Sequence, residues 1–320
     1  MAGTTCFDAL GVTSWNFTIS KIAGPEIPMC NVGLLPYERF SLSLGVSLCI
    51  MLFENIGLTY KQDDSLPLTM KLSELKWTET EALDRDLPVI IPIAAHEQHG
   101  HHMPLHTDSI LLEEVVRLSE LRLGDKALFA PLTWLGNSHH HMDFPGTLSA
   151  DSRVYLDLLV GLLDNFLQHG FRRLLLLNGH GGNKVPGAQA VFEARQSNRD
   201  RKDLLLLSAT YWDQAEPSDL GDEFVQQEMG HAGEWETSMM LAIRPELVGD
   251  HRSVEDVPFG SAFNRADRGW TMPDRSEPGH IGCPSKANAE KGEILLKLFS
   301  EGVVSLVEEI GLWDGRSWDG

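Results

Sequence analysis

Cysteine is scarce in this chain and badly placed for a structural role: Cys6, Cys30 and Cys49 precede Met70, and only Cys283 lies beyond it. No two have metal-type spacing, so neither a zinc ribbon nor a disulfide framework is indicated. Basic charge is scarce as well. With Lys+Arg 26 against Asp+Glu 46, the formal charge of -20 leaves no basic face for nucleic acid or an anionic membrane. Met1 to Gly11 has no Lys or Arg and already contains Asp8, so it lacks the charged region of a secretory signal, and the cytoplasm is the expected compartment. Long apolar runs are missing too. The most apolar early stretch, Ser41 to Leu58, is broken by serines, Gly45, Glu54 and Asn55, and falls short of a bilayer span, with an interfacial anchor the weaker alternative. No internal repeat is present.

Histidines and carboxylates, by contrast, gather in three places. An apolar run, Leu87 to Ala95, empties into Glu97-Gln98-His99-Gly100-His101-His102-Met103-Pro104-Leu105-His106-Thr107-Asp108. A second, Arg173 to Leu177, leads into Asn178-Gly179-His180-Gly181-Gly182-Asn183, and a third segment runs from Gly230-His231 through Glu234 and Glu236 to Ser238. Mixed imidazole and carboxylate sets hold zinc, manganese or iron, and loops leaving the carboxyl ends of parallel strands commonly carry such sites. The glycine-rich turn lacks the Lys-Ser/Thr ending of a P-loop, which disfavours a phosphate-binding reading. A His-rich loop taken alone is more often solvated than ligating, and the triplet His139-His140-His141 reads as a polar loop.

Taken together, these segments resemble the creatininase family of metal-dependent amidohydrolases, which also includes formamide hydrolases and a peptidase of cofactor maturation. The resemblance runs from Met70 to about Ile310 and includes Phe144-Pro145-Gly146-Thr147 and Gly282-Cys283-Pro284-Ser285. It implies two divalent ions per chain, zinc, manganese or iron. Glu97, Asp108 and His180 would hold one and His99 and Asp108 the other, with Asp108 bridging and a hydroxide between the metals attacking the carbonyl. It assigns His231 to substrate contact and to the proton delivered to the departing nitrogen, and Ser138 to substrate binding. It points to Glu236 as the companion of His231, either orienting it or completing the second metal's shell. Helical spacing favours Glu234 instead if the helix has begun at His231, because residues three apart share a face. Creatininases carry Tyr-Glu where this chain has Gly181-Gly182, and that Glu is a ligand, so here the ligand must come from elsewhere. They also carry Trp-Asp near the position of Gln227 and Glu228, so creatinine is not the expected substrate. Trp212, Trp235 and Trp270 are candidates for an aromatic wall or for ordinary packing.

The expected fold is α/β, a three-layer α/β/α sandwich with a mainly parallel sheet. Strands are predicted at Pro88 to Ala95, Ala127 to Leu132, Arg173 to Leu177 and Leu204 to Ala209. Helices are predicted at Ser109 to Leu123, Ala150 to Gln168, Pro186 to Asn198 and Asn288 to Ile310. Leu156, Leu159, Val160, Leu163 and Phe166 form a core stripe, and Phe259 to Gly282 reads as a lid or a subunit contact. Residues 1–69 match nothing in the family, so the reading takes them as a poorly ordered leader or Met70 as the true start, with 70–320 as the enzyme domain. The function expected is hydrolysis of a non-peptide C–N bond in a small amide or cyclic amide by a cytoplasmic homohexamer. The alternatives are a peptidase trimming a modified peptide and a non-catalytic metal-binding member.

Overall fold

Parallel strands covered on both faces need uninterrupted apolar runs, and two such runs form the centre of the molecule. The structure is a computed structural model that describes residues 69–215, 220, 224–263 and 265–317. The leader and its Ser41 to Leu58 stretch lie outside these residues, Thr69 excepted. In chain order the elements are α1 (Trp77–Glu81), β1 (Val89–Ile93), α2 (Thr107–Leu123), β2 (Leu128–Phe129), α3 (Ser152–Gln168) and β3 (Arg173–Asn178). They continue with α4 (Lys184–Ser197), β4 (Leu205–Thr210), α5 (Glu234–Ile243), α6 (Met272–Arg275) and α7 (Ala289–Leu312). All strand pairings are parallel, in the order β2-β1-β3-β4, with Val89 beside both Leu128 and Leu174 and Arg173 beside Leu205.

The two-residue period of the strands sorts side chains to opposite faces. Val89, Ile91, Ile93, Leu174 and Leu176 pack with Tyr155, Leu159 and Leu163 of α3 and with Ala190 and Ala194 of α4. Ile90, Leu175 and Leu177 face the other way, into Leu111 and Val115 of α2, Met239 of α5, and Leu295 and Phe299 of α7. The result is the expected α/β/α sandwich. The stripe on α3 is rotated slightly from its predicted centre: Tyr155, Leu159, Leu163 and Leu167 are buried, while Leu156, Val160 and Phe166 pack at the margin. Strand β2 stops well before Leu132. Pro131 has no N–H to donate, and pairing resumes only where Thr133 N donates to Pro92 O at 2.9 Å.

Strand order places the site. From β1 the chain crosses to β2 on one side by way of α2, and from β3 it crosses to β4 on the other side by way of α4. The two connections leave the carboxyl ends of adjacent strands in opposite directions and on opposite faces, which opens a crevice between them. Glu97 and His99 sit on the loop after β1, and His180 on the loop after β3. Helix α2 begins at Thr107, earlier than predicted, so Asp108 lies in its first turn, where the helix dipole favours a negative charge.

Helix α7 buttresses α5 from behind. A Cβ on Gly292 would lie 2.0 Å from Ser238 O, so only glycine allows the two backbones to approach this closely. One residue earlier, Lys291 Nζ meets Glu234 Oε1 at 2.5 Å, with Glu234 fully buried. Lys291→Met keeps the apolar volume but strands a buried carboxylate, and it should destabilise the fold by about 3–5 kcal/mol in urea unfolding. A loss under 1 kcal/mol would show that the amides of Val225 and Gln226, which also donate to Glu234, are sufficient partners. Among the described residues, no helix is long and apolar enough to cross a membrane.

Candidate metal centre

Three carboxylates and five imidazoles meet at the carboxyl ends of β1 and β3. Asp108 is central, with Oδ1 3.2 Å from His99 Nε2 and Oδ2 3.1 Å from His180 Nδ1. Glu97, fully buried, lies with Oε2 3.3 Å from His180 Nε2 and Oε1 3.3 Å from His141 Nε2 and 3.6 Å from His231 Nδ1. Glu236 Oε1 approaches His99 Nε2 at 3.8 Å. Donor atoms that each sit about 2.0–2.2 Å from a shared cation fall at separations of this order. Four overlapping groups of donors within 4.8 Å of one another occur among the described residues, and Glu97 belongs to three of them.

The backbone sets the imidazole tautomers, as inferred from hydrogen-bond partners. His99 Nδ1 donates to Glu97 O at 3.0 Å, which leaves the Nε2 lone pair facing Asp108 and Glu236. His180 Nε2 donates to Asn137 O at 3.1 Å, which leaves Nδ1 facing Asp108. Second bonds of this kind hold metal-ligating histidines in their rotamers. Asn178 locks the loop itself, with Oδ1 accepting from His180 N at 2.9 Å and Nδ2 donating to His180 O at 2.7 Å.

The electrostatics mark a place prepared for positive charge. Glu97 Oε1 and Oε2 and Asp108 Oδ2 are buried with no hydrogen-bond partner, a cost that a fold rarely tolerates without a ligand. Burial pushes the Glu97 carboxyl up to about 7 against the pull of His180. His180 is driven up to about 9: burial opposes its charge, but Glu97 and Asp108 outweigh it. His99 is held high by Asp108 and Glu236, again against burial. His231 goes the opposite way: burial, then the charges of His99 and His141, push it well below the ordinary imidazole value.

The two glutamates left open by the spacing point apart. Helix α5 starts at Glu234, not at His231, so Ala232 and Gly233 precede the first turn. Glu234 turns back to Lys291, while Glu236 anchors Oε2 on the Ala232 amide at 2.5 Å and presents Oε1 to His99. Ala232 accepts a φ of 51°, rare outside glycine, to make that bend. Glu236 faces His99 and is not a hydrogen-bond partner of His231. Gln98 holds the His231 ring instead: His231 Nε2 donates to Gln98 O at 2.8 Å, and the Gln98 amide lies 3.1 Å from the same nitrogen.

Gln98 escaped the sequence reading, as did His140 and His141. The triplet is not a solvated loop. It forms a 3-10 turn, His139–His141, that buries His141 beside Glu97 and stacks His140 on His180 at 5.7 Å. Ser138, expected to meet substrate, is fully buried with Oγ 3.4 Å from His180 Nε2, and it lies behind that imidazole, not on the cavity wall. Gly182 explains why His140 fits. A Cβ there would lie 2.2 Å from Asn137 O and 2.9 Å from His140 Cε1, so the histidine turn fills the space that a side chain at 182 would need.

The cluster opens into a cavity of about 510 Å³, within the range of small-molecule sites. Glu97, Asp108, His180, His231 and Glu236 line it, together with Trp212 and Trp270. Trp235 belongs to the core, its Nε1 donating to Gln226 O at 3.0 Å. The long Phe259 to Gly282 segment forms one wall, tied down where His231 and Ile281 exchange backbone hydrogen bonds of 2.9 and 2.7 Å.

Comparison with known proteins agrees with this architecture. Residues 73–307 match the sequence profile of Creatininase, described as creatinine amidohydrolase. Creatinine amidohydrolase of Pseudomonas putida is 30% identical over 253 residues, 74% of this chain and 96% of that protein. The mycofactocin precursor peptide peptidase of Mycolicibacterium smegmatis is 30% identical over 231 residues, 70% of this chain and 85% of that one. A solved structure of manganese creatininase superimposes with a TM-score of 0.64 at 31% identity, covering 75% of this chain and 98% of that one.

Proposed function

Because the chain belongs to the creatininase family of amidohydrolases, we propose that it hydrolyses a non-peptide C–N bond in a small amide or cyclic amide with the help of two divalent cations. The observation that carries this reading is the set of buried carboxylate oxygens on Glu97 and Asp108 that find no hydrogen-bond partner among the described residues and lie amid imidazoles. Glu97, Asp108 and His180 make up one ligand set, and His99, Asp108 and Glu236 the other. Glu236 thus takes the place that Gly182 leaves without a side chain. Imidazole and carboxylate donors suit zinc, manganese and iron alike. When bound, the cations supply Lewis acidity that lowers the pKa of a shared water and polarises the scissile carbonyl.

The chain's own residues then orient and move protons. His231, kept neutral by burial and by neighbouring positive charge, is a proton acceptor lining the cavity. It passes the proton to the departing nitrogen, which leaves only once protonated. The Gln98 backbone carbonyl fixes the ring for this task, and the Gln98 side-chain amide is held by Gly279 O at 2.7 Å. Ser138 steadies His180.

The test is turnover by full-length protein, reconstituted with manganese or zinc, on a panel of small amides, lactams and short peptides. Metal-dependent release of amine from at least one amide or lactam is expected, with creatinine a poor substrate. Activity confined to peptides would replace this reading with a peptidase. Full metal occupancy with no turnover would point to a binding protein. We place the enzyme in the cytoplasm as a homohexamer, and sedimentation velocity should give a single species of about six chains.

A further inference from the structure

The chain carries a large excess of acid, yet cations line the cavity. Three basic side chains, Lys184, Arg268 and Arg275, line the same cavity as the carboxylates Glu97, Asp108 and Glu236. Lys184 is already neutralised, with Nζ 2.6 Å from Asp213 Oδ2. The arginines are not: among the described residues neither has a carboxylate within ion-pair distance. Arg275 lies over Trp270, with Cζ 4.8 Å from the ring centroid, and donates one N–H to Phe259 O at 2.6 Å. Most of its five donors stay free. The indole that fixes it is itself held edge-on by His140 at 4.9 Å, so the guanidinium is tied to the metal-centre turn. Arg268 is close enough that, after burial, its charge is the largest influence lowering the pKa of Arg275, while Glu228 acts on Arg275 only from beyond ion-pair range.

Two guanidiniums facing one cavity repel each other unless an anion lies between them. The planar fork of arginine matches a carboxylate, with two parallel charge-assisted hydrogen bonds. We propose that Arg268 and Arg275 are specificity residues that bind a carboxylate on the substrate, so that the amide hydrolysed here is an anionic one, its carboxylate at the guanidiniums and its C–N bond at the metal centre. This rests on the hydrolytic reading above for the bond cleaved, but not for the binding itself. The same carboxylate chemistry is offered by a small acylated amino acid and by the free end of a peptide.

Calorimetric titration of the full-length, metal-loaded protein separates these possibilities without requiring turnover. The probes are N-acetylglycine against its neutral methyl ester, and N-acetylglycylglycine against its C-terminal amide. Wild type should bind the acid of at least one pair about tenfold or more tightly than its neutral partner. A preference in the first pair alone assigns a small acid, and one in the second pair alone a peptide end. Arg268→Met, on the exposed side, and the double substitution with Arg275→Met should bring the ratio to within about twofold of one, with metal content unchanged, while Arg275→Lys should keep part of it. A ratio near one in wild type, no binding of any probe, or a preference that survives the double substitution would overturn the proposal. The preference with no hydrolysis of any amide would leave the carboxylate site standing and discard the catalytic reading.

Discussion

Replacing Asp108 with alanine should remove both metal ions and lower kcat/KM by about four orders of magnitude or more, about 5.4 kcal/mol at 1.36 kcal/mol per decade. The two oxygens of Asp108 face His99 on one side and His180 on the other, the imidazoles of the two proposed ligand sets. Its loss breaks both ligand sets at once. Lewis-acid polarisation and water activation each contribute several kcal/mol to such reactions, so the estimate is conservative. Plasma-emission analysis of full-length protein purified without added metal, and again after manganese or zinc reconstitution, gives the count directly. Asp108→Asn, nearly isosteric, controls for packing. Near two ions in wild type and none in either variant is the expected pattern. Two ions retained in the alanine variant, with activity within tenfold of wild type, would falsify the bridging role. A single ion in reconstituted wild type would mean that Glu236 does not complete the second set.

His231→Ala should behave differently. Metal content stays at the wild-type level while kcat falls by about 10²- to 10⁴-fold, the range for loss of a positioned proton-transfer group. The separation follows from the proposed roles: His231 lies among the candidate metal donors, 3.6 Å from Glu97, but its Nε2 is taken up by Gln98 O, whereas Asp108 sits between His99 and His180, the proposed ligand imidazoles. The pH profile carries a second signature. Burial, then the charge of His99, depresses the pKa of His231, so its basic form persists as pH falls through 6.5, and the acid limb of kcat/KM lies below that value. Bound cations push in the same direction. Equal loss of metal and activity would reassign His231 to the ligand set, and an acid limb well above 6.5 would remove it as the base.

Much of the fold was legible because burial on both faces of a parallel sheet demands near-continuous Val, Ile and Leu, which β1 and β3 supply. The switch point then followed from which loops carried imidazoles. Strand β2 was not readable in length, because Pro131 interrupts a ladder whose partner could not be known. In the site, Glu97, His99, Asp108 and His180 were singled out by the resemblance to the creatininase family, since spacing along a His-rich loop does not by itself separate ligands from solvated residues. The choice between Glu234 and Glu236 depended on one backbone angle, the positive φ of Ala232, which no pattern of residue types encodes. His140 and His141 were missed because adjacent residues are expected to diverge, whereas a 3-10 turn over a side-chain-free Gly182 lets both face inward. Gln98 was hidden among more reactive neighbours, and the signal that might have found it is its place between two candidate ligands. Arg268 and Arg275 lay in a long irregular segment where only the folded chain shows which cations remain unpaired.

Gly182 also bears on how two kinds of active site arise within one family. The resemblance puts a ligating glutamate of creatininases at the position of Gly182; here the 137–141 turn fills that space, with Asn137 O 2.2 Å from where a Cβ would stand. Introducing glutamate at 182 should therefore collide with backbone before it can serve a metal, and, with Glu236 in the proposed second ligand set, withdrawing it first removes a ligand before any replacement exists. Neither single step is passable on its own. The two ligand arrangements are separated by a barrier in sequence space that takes concerted change in two loops to cross, so descendants on either side are held there, and transplanting one ligand between them should yield an inactive protein instead of a hybrid.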